Sequence, residues 1–268
     1  MSGRIQQIRL LSYNIQAVTT TAKYREYVTS SWRQVLPNNQ RMANLDAIAE
    51  LVSDYDIVAL QEVDCGSLRS GFLNQAKYLA THAGFDFWNH QGNRKVGMIA
   101  HAGNGLLSRI RPQSIEEHRL PGAIPGRGAM VVRFGVGDQA LWLVVLHLAL
   151  GRRARSQQLA YVADVIRDYR HVVVMGDLNT GPGSRELRSF CDQAGLIIPA
   201  RDILTFPSWD PKRAIDHILV SPEMDVARLD VLPVTFSDHR PLAMTVNLRG
   251  VEELPGHANG YADQRESE

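Results

Sequence analysis

Cysteine is nearly missing from this chain: Cys65 and Cys191 are the two present in 268 residues, and they form no Cys-x-x-Cys spacing. That excludes a disulfide scaffold and a thiolate zinc site, and a reducing cytoplasm is the expected compartment. An excess of one charge is missing too. Lys and Arg number 29 against 28 Asp and Glu, a net charge of +1. No global positive field marks a protein that coats nucleic acid, so any grip on phosphates must be local. Long hydrophobic runs are also lacking. The most apolar stretch, residues 140–150, contains His147 and is far shorter than the ~20 residues that span a bilayer, so it reads as a buried strand. No transmembrane segment is expected, and the opening Met1–Gln7 leads into no apolar core of secretory type. No repeat of solenoid or propeller length stands out.

What is present is an ordinary globular composition, 44% hydrophobic and 21% charged. Short apolar runs of strand type occur at 8–13, 57–60, 106–107, 130–134, 141–146, 172–175, 215–220 and 242–246. Helical periodicity lies between them, in Met42, Leu45, Ile48, Ala49 and Val52, and again in Leu159, Val162, Ala163 and Ile166. The alternation predicts sheet covered by helices. Residues 19–39 place Tyr24, Tyr27, Val28, Trp32, Val35 and Leu36 along one helical face, which predicts an amphipathic helix. A single catalytic domain is expected over 1–249, followed by a polar, flexible tail over 250–268 with too little apolar content to offset ordering entropy.

Polar residues gather where the expected strands end: Tyr13-Asn14, Gln61-Glu62, His147, Gly176-Asp177-Leu178-Asn179, Ile215-Asp216-His217 and Ser237-Asp238-His239. Strand ends are where a rigid sheet presents functional groups. Carboxylate, amide and imidazole without thiolate favour a hard cation, Mg²⁺ first and Mn²⁺ as a substitute. Mg²⁺ takes one or two protein carboxylates and leaves positions for water and phosphate, which suits a site centred on Glu62. His217 directly follows Asp216 and so faces the other side of its strand, which gives it a structural role.

The order of these motifs, with Ser12-Tyr13-Asn14, Leu60-Gln61-Glu62, Gly105-Leu106-Leu107-Ser108-Arg109 and Ser237-Asp238-His239-Arg240-Pro241, resembles the endonuclease/exonuclease/phosphatase superfamily over residues 8–246. The resemblance implies a four-layer α/β sandwich, two mixed sheets flanked by helices, with the site at one edge. It implies that Glu62 is the principal metal ligand, with Asn14 beside it in the metal and phosphate site and Asp238 adjacent. Asp177 would orient or deprotonate the attacking water, and Asn179 would place it and donate to a phosphoryl oxygen. His239 would contact phosphate, held protonated by Asp216, and His147 would contact the scissile phosphate. In the nuclease branch such a histidine pairs with a further carboxylate, and residues 94–104 offer none. Arg127, between two glycines, and Arg152, in a basic cluster with Arg153 and Arg155, are the candidates for substrate phosphates. The reaction implied is metal-dependent phosphate-ester hydrolysis, with nucleic acid as the leading substrate. A phospholipid or phosphoinositide at a membrane surface is the alternative, and a non-catalytic binding module on the same fold is the third reading.

Overall fold

The computed structural model describes residues 6–16, 38–66, 72–96, 100–122, 126–248 and Leu254. The helix expected over 19–39 lies outside the described residues except at its last two positions, as does the expected tail except for Leu254.

Six strands form one sheet in the order β10 (Asp225–Val231), β11 (Leu242–Leu248), β1 (Gln6–Asn14), β2 (Ile57–Asp64), β4 (Ala100–Ser108), β3 (Phe87–Val96). Five form a second: β5 (Ser114–Arg119), β6 (Gly128–Phe134), β7 (Leu141–His147), β8 (His171–Asp177), β9 (Asp216–Val220). Each sheet is mixed, since β1 runs parallel to β2 and β7 parallel to β8 while their other neighbours are antiparallel. Helices α1 (Asn38–Val52) and α2 (Gln75–Ala83) cover the first sheet; α3 (Arg152–Ile166) and α4 (Arg185–Ala194) cover the second.

Side-chain alternation along the strands builds the four layers. Ile8 and Leu10 of β1 meet Val173 and Met175 of β8 in the core between the sheets, with Phe134 and Leu143. The alternate residues of β1, Leu11 and Tyr13, pack under α1 against Leu45 and Ile48. On the other side Val172 and Val174 pack under α3 and α4 against Val162 and Phe190. Burying each such aliphatic side chain contributes about 1.5–3 kcal/mol, so strands apolar on both faces are fixed in register. The helices covering them begin at identifiable caps. Asn74 accepts from Lys77 N at 3.0 Å ahead of α2, and Ser184 accepts from Leu187 N at 3.2 Å ahead of α4.

Seven of the eight expected strand runs fall within observed strands, and the eighth, 215–220, begins one residue before its strand at Asp216. Three further strands, β3, β5 and β10, carry too little apolar sequence to be read beforehand, and all three lie at sheet edges. Leu254 is 2% exposed within the central core, where its backbone N–H donates to Gln6 Oε1 at 3.0 Å. Among the described residues no helix is long and apolar enough to cross a membrane.

Candidate active site

Strand direction gathers the polar strand ends. The parallel pairs β1/β2 and β7/β8 end side by side, which puts Asn14 opposite Gln61 and His147 opposite Asp177. Strand β9 runs the other way, so its first residue, Asp216, pairs with Asp177. Strand β11 is antiparallel to β1, with Leu242 opposite Ser12, so residues 237–239 lead in beside Asn14. Asn14 Nδ2 then donates to Asp177 Oδ2 at 3.1 Å, joining the two sheets.

Two backbone features aim the carboxylates. Gly176 has φ +147, and a Cβ there would lie 1.9 Å from Leu146 O, so only glycine lets β8 approach β7 this closely just before Asp177. Glu62 has φ 57 and falls where the register of β2 against β4 shifts between Leu60 and Val63. This bulge breaks the strict alternation and leaves the Glu62 side chain 37% exposed, with Oε1 3.8 Å from His147 Nε2.

Asp177 is the centre of the cluster. Its Oδ1 accepts from Asn179 N at 2.9 Å, and its Oδ2 lies 3.5 Å from His147 Nε2 and 3.8 Å from His239 Nε2. Burial raises its pKa to about 7; His239 opposes the rise, and the charges of Asp216 and Glu62 add to it. His239 Nδ1 sits 3.1 and 2.9 Å from the two oxygens of Asp216, and Thr205 Oγ1 donates to Asp216 Oδ2 at 2.5 Å. Burial disfavours the charged ring, but Asp216 and Asp177 outweigh it and raise His239 to about 10. The imidazolium is therefore the neutral-pH form. Phe206 packs on that ring with centroids 4.9 Å apart. Asp238 is raised to about 6, by burial first and by Glu62 in part, with His239 opposing.

His147 behaves oppositely. Burial, Arg127 and His239 together push its pKa well below the free-imidazole value, so the ring is neutral. Arg127 Nη1 is 2.8 Å from both ring nitrogens, and a guanidinium only donates, which requires an unprotonated nitrogen to accept. Arg127 is set by the strand it leads into. Asn104 Nδ2 donates to Gly128 O at 3.0 Å and to Gln91 Oε1 at 3.2 Å, and Gln91 Nε2 donates to Ala129 O at 3.1 Å. This buried amide pair ties β3 and β4 of one sheet to the start of β6 in the other.

The structure thus brings together Asn14, Glu62, Arg127, His147, Asp177, Asn179, Asp216, Asp238 and His239. It does not bring Arg152 to them. Helix α3 begins at Arg152, which lines a groove between α3 and α4 with Arg185. His217 Nε2 bonds Thr180 O at 2.7 Å, buried on the strand face away from the cluster. Sequence reading missed Thr205, Gln91 and Asn104, which act through neighbours and sit in no motif. Ser237 was visible only as part of one; its Oγ donates to Asn14 O at 2.6 Å.

A cation fits this donor set. Asp177, Asp216 and His239 offer ligand atoms within 4.8 Å of one another, and all are buried. The Nδ1 of that histidine is committed to Asp216, however. Glu62, Asn14 and Asp238 supply oxygen donors at the cleft, and the clustered carboxylates Glu62, Asp177, Asp216 and Asp238 outnumber the cations Arg127 and His239. An oxygen-rich, sulfur-free set carrying surplus negative charge suits a hard divalent ion.

Two mixed sheets between helices, carrying a histidine-and-carboxylate cluster at one edge, define the class of phosphate-ester hydrolase sandwiches. The Endonuclease/Exonuclease/phosphatase family model matches residues 11–239, and the chain belongs to that family, whose members hydrolyse phosphate esters. Among curated proteins, it is 28% identical over 176 residues to the inositol phosphosphingolipids phospholipase C of Saccharomyces cerevisiae. That match covers 54% of this chain and 34% of the yeast protein, so the chain spans about a third of that relative's length. Among solved structures, the mannosyl-6-phosphatase of Bacteroides thetaiotaomicron aligns with TM-score 0.64 at 19% identity, over 89% of this chain and 99% of that one. TDP2 of D. rerio, in complex with a single-strand DNA product, aligns with TM-score 0.66 at 16% identity, over 90% and 99%. At these identities the structural likeness is one of fold.

Proposed function

We propose that residues 1–249 form a divalent-cation-dependent phosphodiesterase in which water attacks phosphorus, with nucleic acid as the leading substrate class and the cytoplasm as its compartment. The observation that carries the reading is Asp177: a buried carboxylate raised to about 7, fixed by Asn14 and Asn179 N, and facing two histidines of opposite protonation state. A base tuned near neutral pH accepts the proton of the attacking water as the new P–O bond forms and the bond to the leaving alcohol breaks. His239, held as imidazolium by Asp216, opposes the charge that builds on the phosphoryl oxygens. Asn179 already donates to Leu148 O at 3.0 Å and keeps one amide hydrogen for the phosphate. Neutral His147, braced by Arg127, donates from its protonated nitrogen to the leaving oxygen, which departs as the alcohol. Glu62, Asn14 and Asp238 would hold Mg²⁺, with Mn²⁺ as a substitute; when bound, the ion polarises a phosphoryl oxygen and offsets the surplus carboxylate charge.

The test is hydrolysis of single- and double-stranded DNA, RNA, phosphoinositides, sphingomyelin and small phosphomonoesters with Mg²⁺, Mn²⁺ or EDTA, beside Asp177→Ala. Selective cleavage that needs the cation and disappears in Asp177→Ala supports the proposal; undiminished turnover in that variant refutes it. A second reading, hydrolysis of a lipid headgroup phosphodiester, is favoured by the similarity to the yeast phospholipase C. Cleavage confined to lipid substrates would replace the nucleic-acid reading with this one.

A further inference from the structure

The groove between α3 and α4 lies outside the catalytic cluster, encloses about 330 Å³ and is lined by Arg152, Ser156, Leu159, Arg185, Ser189 and Phe190 among others. Arg152 and Arg185 open their helices, Ser156 and Ser189 follow one turn on, and Leu159 and Phe190 supply apolar wall. Guanidinium and hydroxyl beside apolar surface is the mixture that takes a sugar-phosphate: charge and hydrogen bonds for the phosphate, aliphatic and aromatic surface for the sugar or base.

The acid in the groove does not cancel the arginines. Glu186 accepts from Arg155 Nη2 at 2.9 Å and from Thr180 Oγ1 at 3.0 Å. Burial pushes its pKa up, and the bond from Arg155 overrides this to hold it below the usual carboxylate value, so its charge is matched by Arg155. Among the described residues, the guanidiniums of Arg152 and Arg185 have no hydrogen-bond or ion-pair partner. Two unbalanced positive charges face one concave surface.

That surface opens at the catalytic end of the molecule. Residues 148–151 lead from His147 into α3, and 178–184 lead from Asp177 into α4. The two loops are tied to the groove: Arg155 Nη1 donates to Ala149 O at 3.4 Å and also to Leu150 O, and Thr180, which bonds Glu186, is the neighbour of Asn179. A strand whose scissile phosphate sits at Asp177 would cross these loops and reach the groove.

We infer that this groove is a second phosphate site, holding a backbone phosphate of a nucleic-acid strand several nucleotides from the cleaved bond. The inference rests on the nucleic-acid reading above. The experiment compares wild-type protein with R152E/R185E and the milder R152Q/R185Q on a short single-stranded DNA across a salt series. Hydrolysis of bis(p-nitrophenyl) phosphate, a diester too small to span both places, follows the catalytic centre separately, and circular dichroism confirms folding. Losing this one phosphate should raise KM for the strand and flatten the log–log salt dependence of kcat/KM by about 0.7, at ~0.7 per phosphate neutralised on single strands. The glutamate pair should act more strongly than the glutamine pair. Strand cleavage with wild-type KM and salt slope in both variants would overturn the groove assignment. Wild-type protein that hydrolyses the small diester but no strand would overturn the nucleic-acid reading and this inference with it.

Discussion

Replacing Asp216 with Asn keeps the shape of the side chain that grips His239 and removes its charge. In the wild type, Asp216 lies 2.9 and 3.1 Å from His239 Nδ1, and it leads the interactions that raise the ring to about 10 against the cost of burial. Without the carboxylate, burial dominates and the folded-state pKa falls; each unit of fall is about 1.36 kcal/mol of lost preference for the imidazolium. A raised histidine pKa keeps the charged, phosphate-stabilising form up to about pH 10 in the wild type, so the alkaline limb of kcat/KM lies there. In Asp216→Asn that limb moves toward the free-imidazole value of about 6.5 or lower. The same substitution removes a charge that helps raise Asp177, so the acid limb set by Asp177 also moves down. The whole profile shifts to lower pH. Removing one preorganised donor to a developing negative charge costs about 10²–10³-fold in rate. That loss should be full at pH 8 and shrink to roughly tenfold or less near pH 5.5, where the variant ring recharges. The assay is kcat/KM from pH 5 to 10 on whichever diester the substrate panel identifies. A variant-to-wild-type ratio that stays flat across this range would show that Asp216 holds structure only, and would refute the reasoning. Linkage gives a second reading of the same pair. The stability it lends the fold is full below about pH 6.5 and is lost as pH rises through about 10, so the gap in melting temperature between the two proteins should close above that value.

Gly176→Ala places a Cβ 1.9 Å from Leu146 O at φ +147, and should cost about 3 kcal/mol, seen by calorimetry as a melting temperature lower by roughly 10 °C. An unchanged melting temperature would mean that β7 and β8 separate freely. Asn104→Ala removes the bonds to Gly128 O and Gln91 Oε1 and should loosen Arg127 over His147. The expected outcome is a kcat loss of about tenfold with little change in KM, partly recovered in Asn104→Gln, whereas a pure stability defect would leave kcat per folded molecule intact. Chelation should abolish turnover, and titrating Mg²⁺ into apoprotein should release protons from Asp177 and Asp238, raised to about 7 and about 6 by burial. Calorimetry at pH 6 in buffers of different ionisation enthalpy measures that release, and its absence would count against a cation at these carboxylates.

The central strands were legible because both of their faces are buried. Runs such as 172–175 are continuous in valine and methionine, and no polar residue interrupts them until function requires one. Edge strands β5 and β10 were not, since their exposed and half-buried residues include Glu116, Glu117, Arg228 and Asp230, a pattern shared with loops. The catalytic cluster was legible through its motifs, and the register explains why: Asn14, His147, Asp177 and Asp216 each terminate or begin a strand. Thr205, Gln91 and Asn104 were not, because each sits in a segment with no periodic signal and gains its role from a partner distant in sequence. Arg152 was grouped with the site through its nearness to His147 in the chain. The helix that starts at Arg152 carries it into the groove beside Arg185 instead.

The same register explains why so much uncompensated polarity is tolerated in one place. Residues one or two steps inside each strand end, Tyr13, Leu146, Met175 and Ile218 among them, are fully or almost fully buried in the three hydrophobic layers. A one-residue slip in any of those strands would turn its apolar set toward solvent or into the opposite layer. The layers therefore hold the carboxylates and histidines at fixed separations that their own interactions would not favour. Asp177 stays beside Asp216 and near Glu62 because β8 cannot move relative to β9 without breaking apolar contacts on both faces of the sheet. The burial that raises Asp177 to about 7 is supplied by the packing of those strands, so base strength and fold stability are coupled through the same apolar contacts.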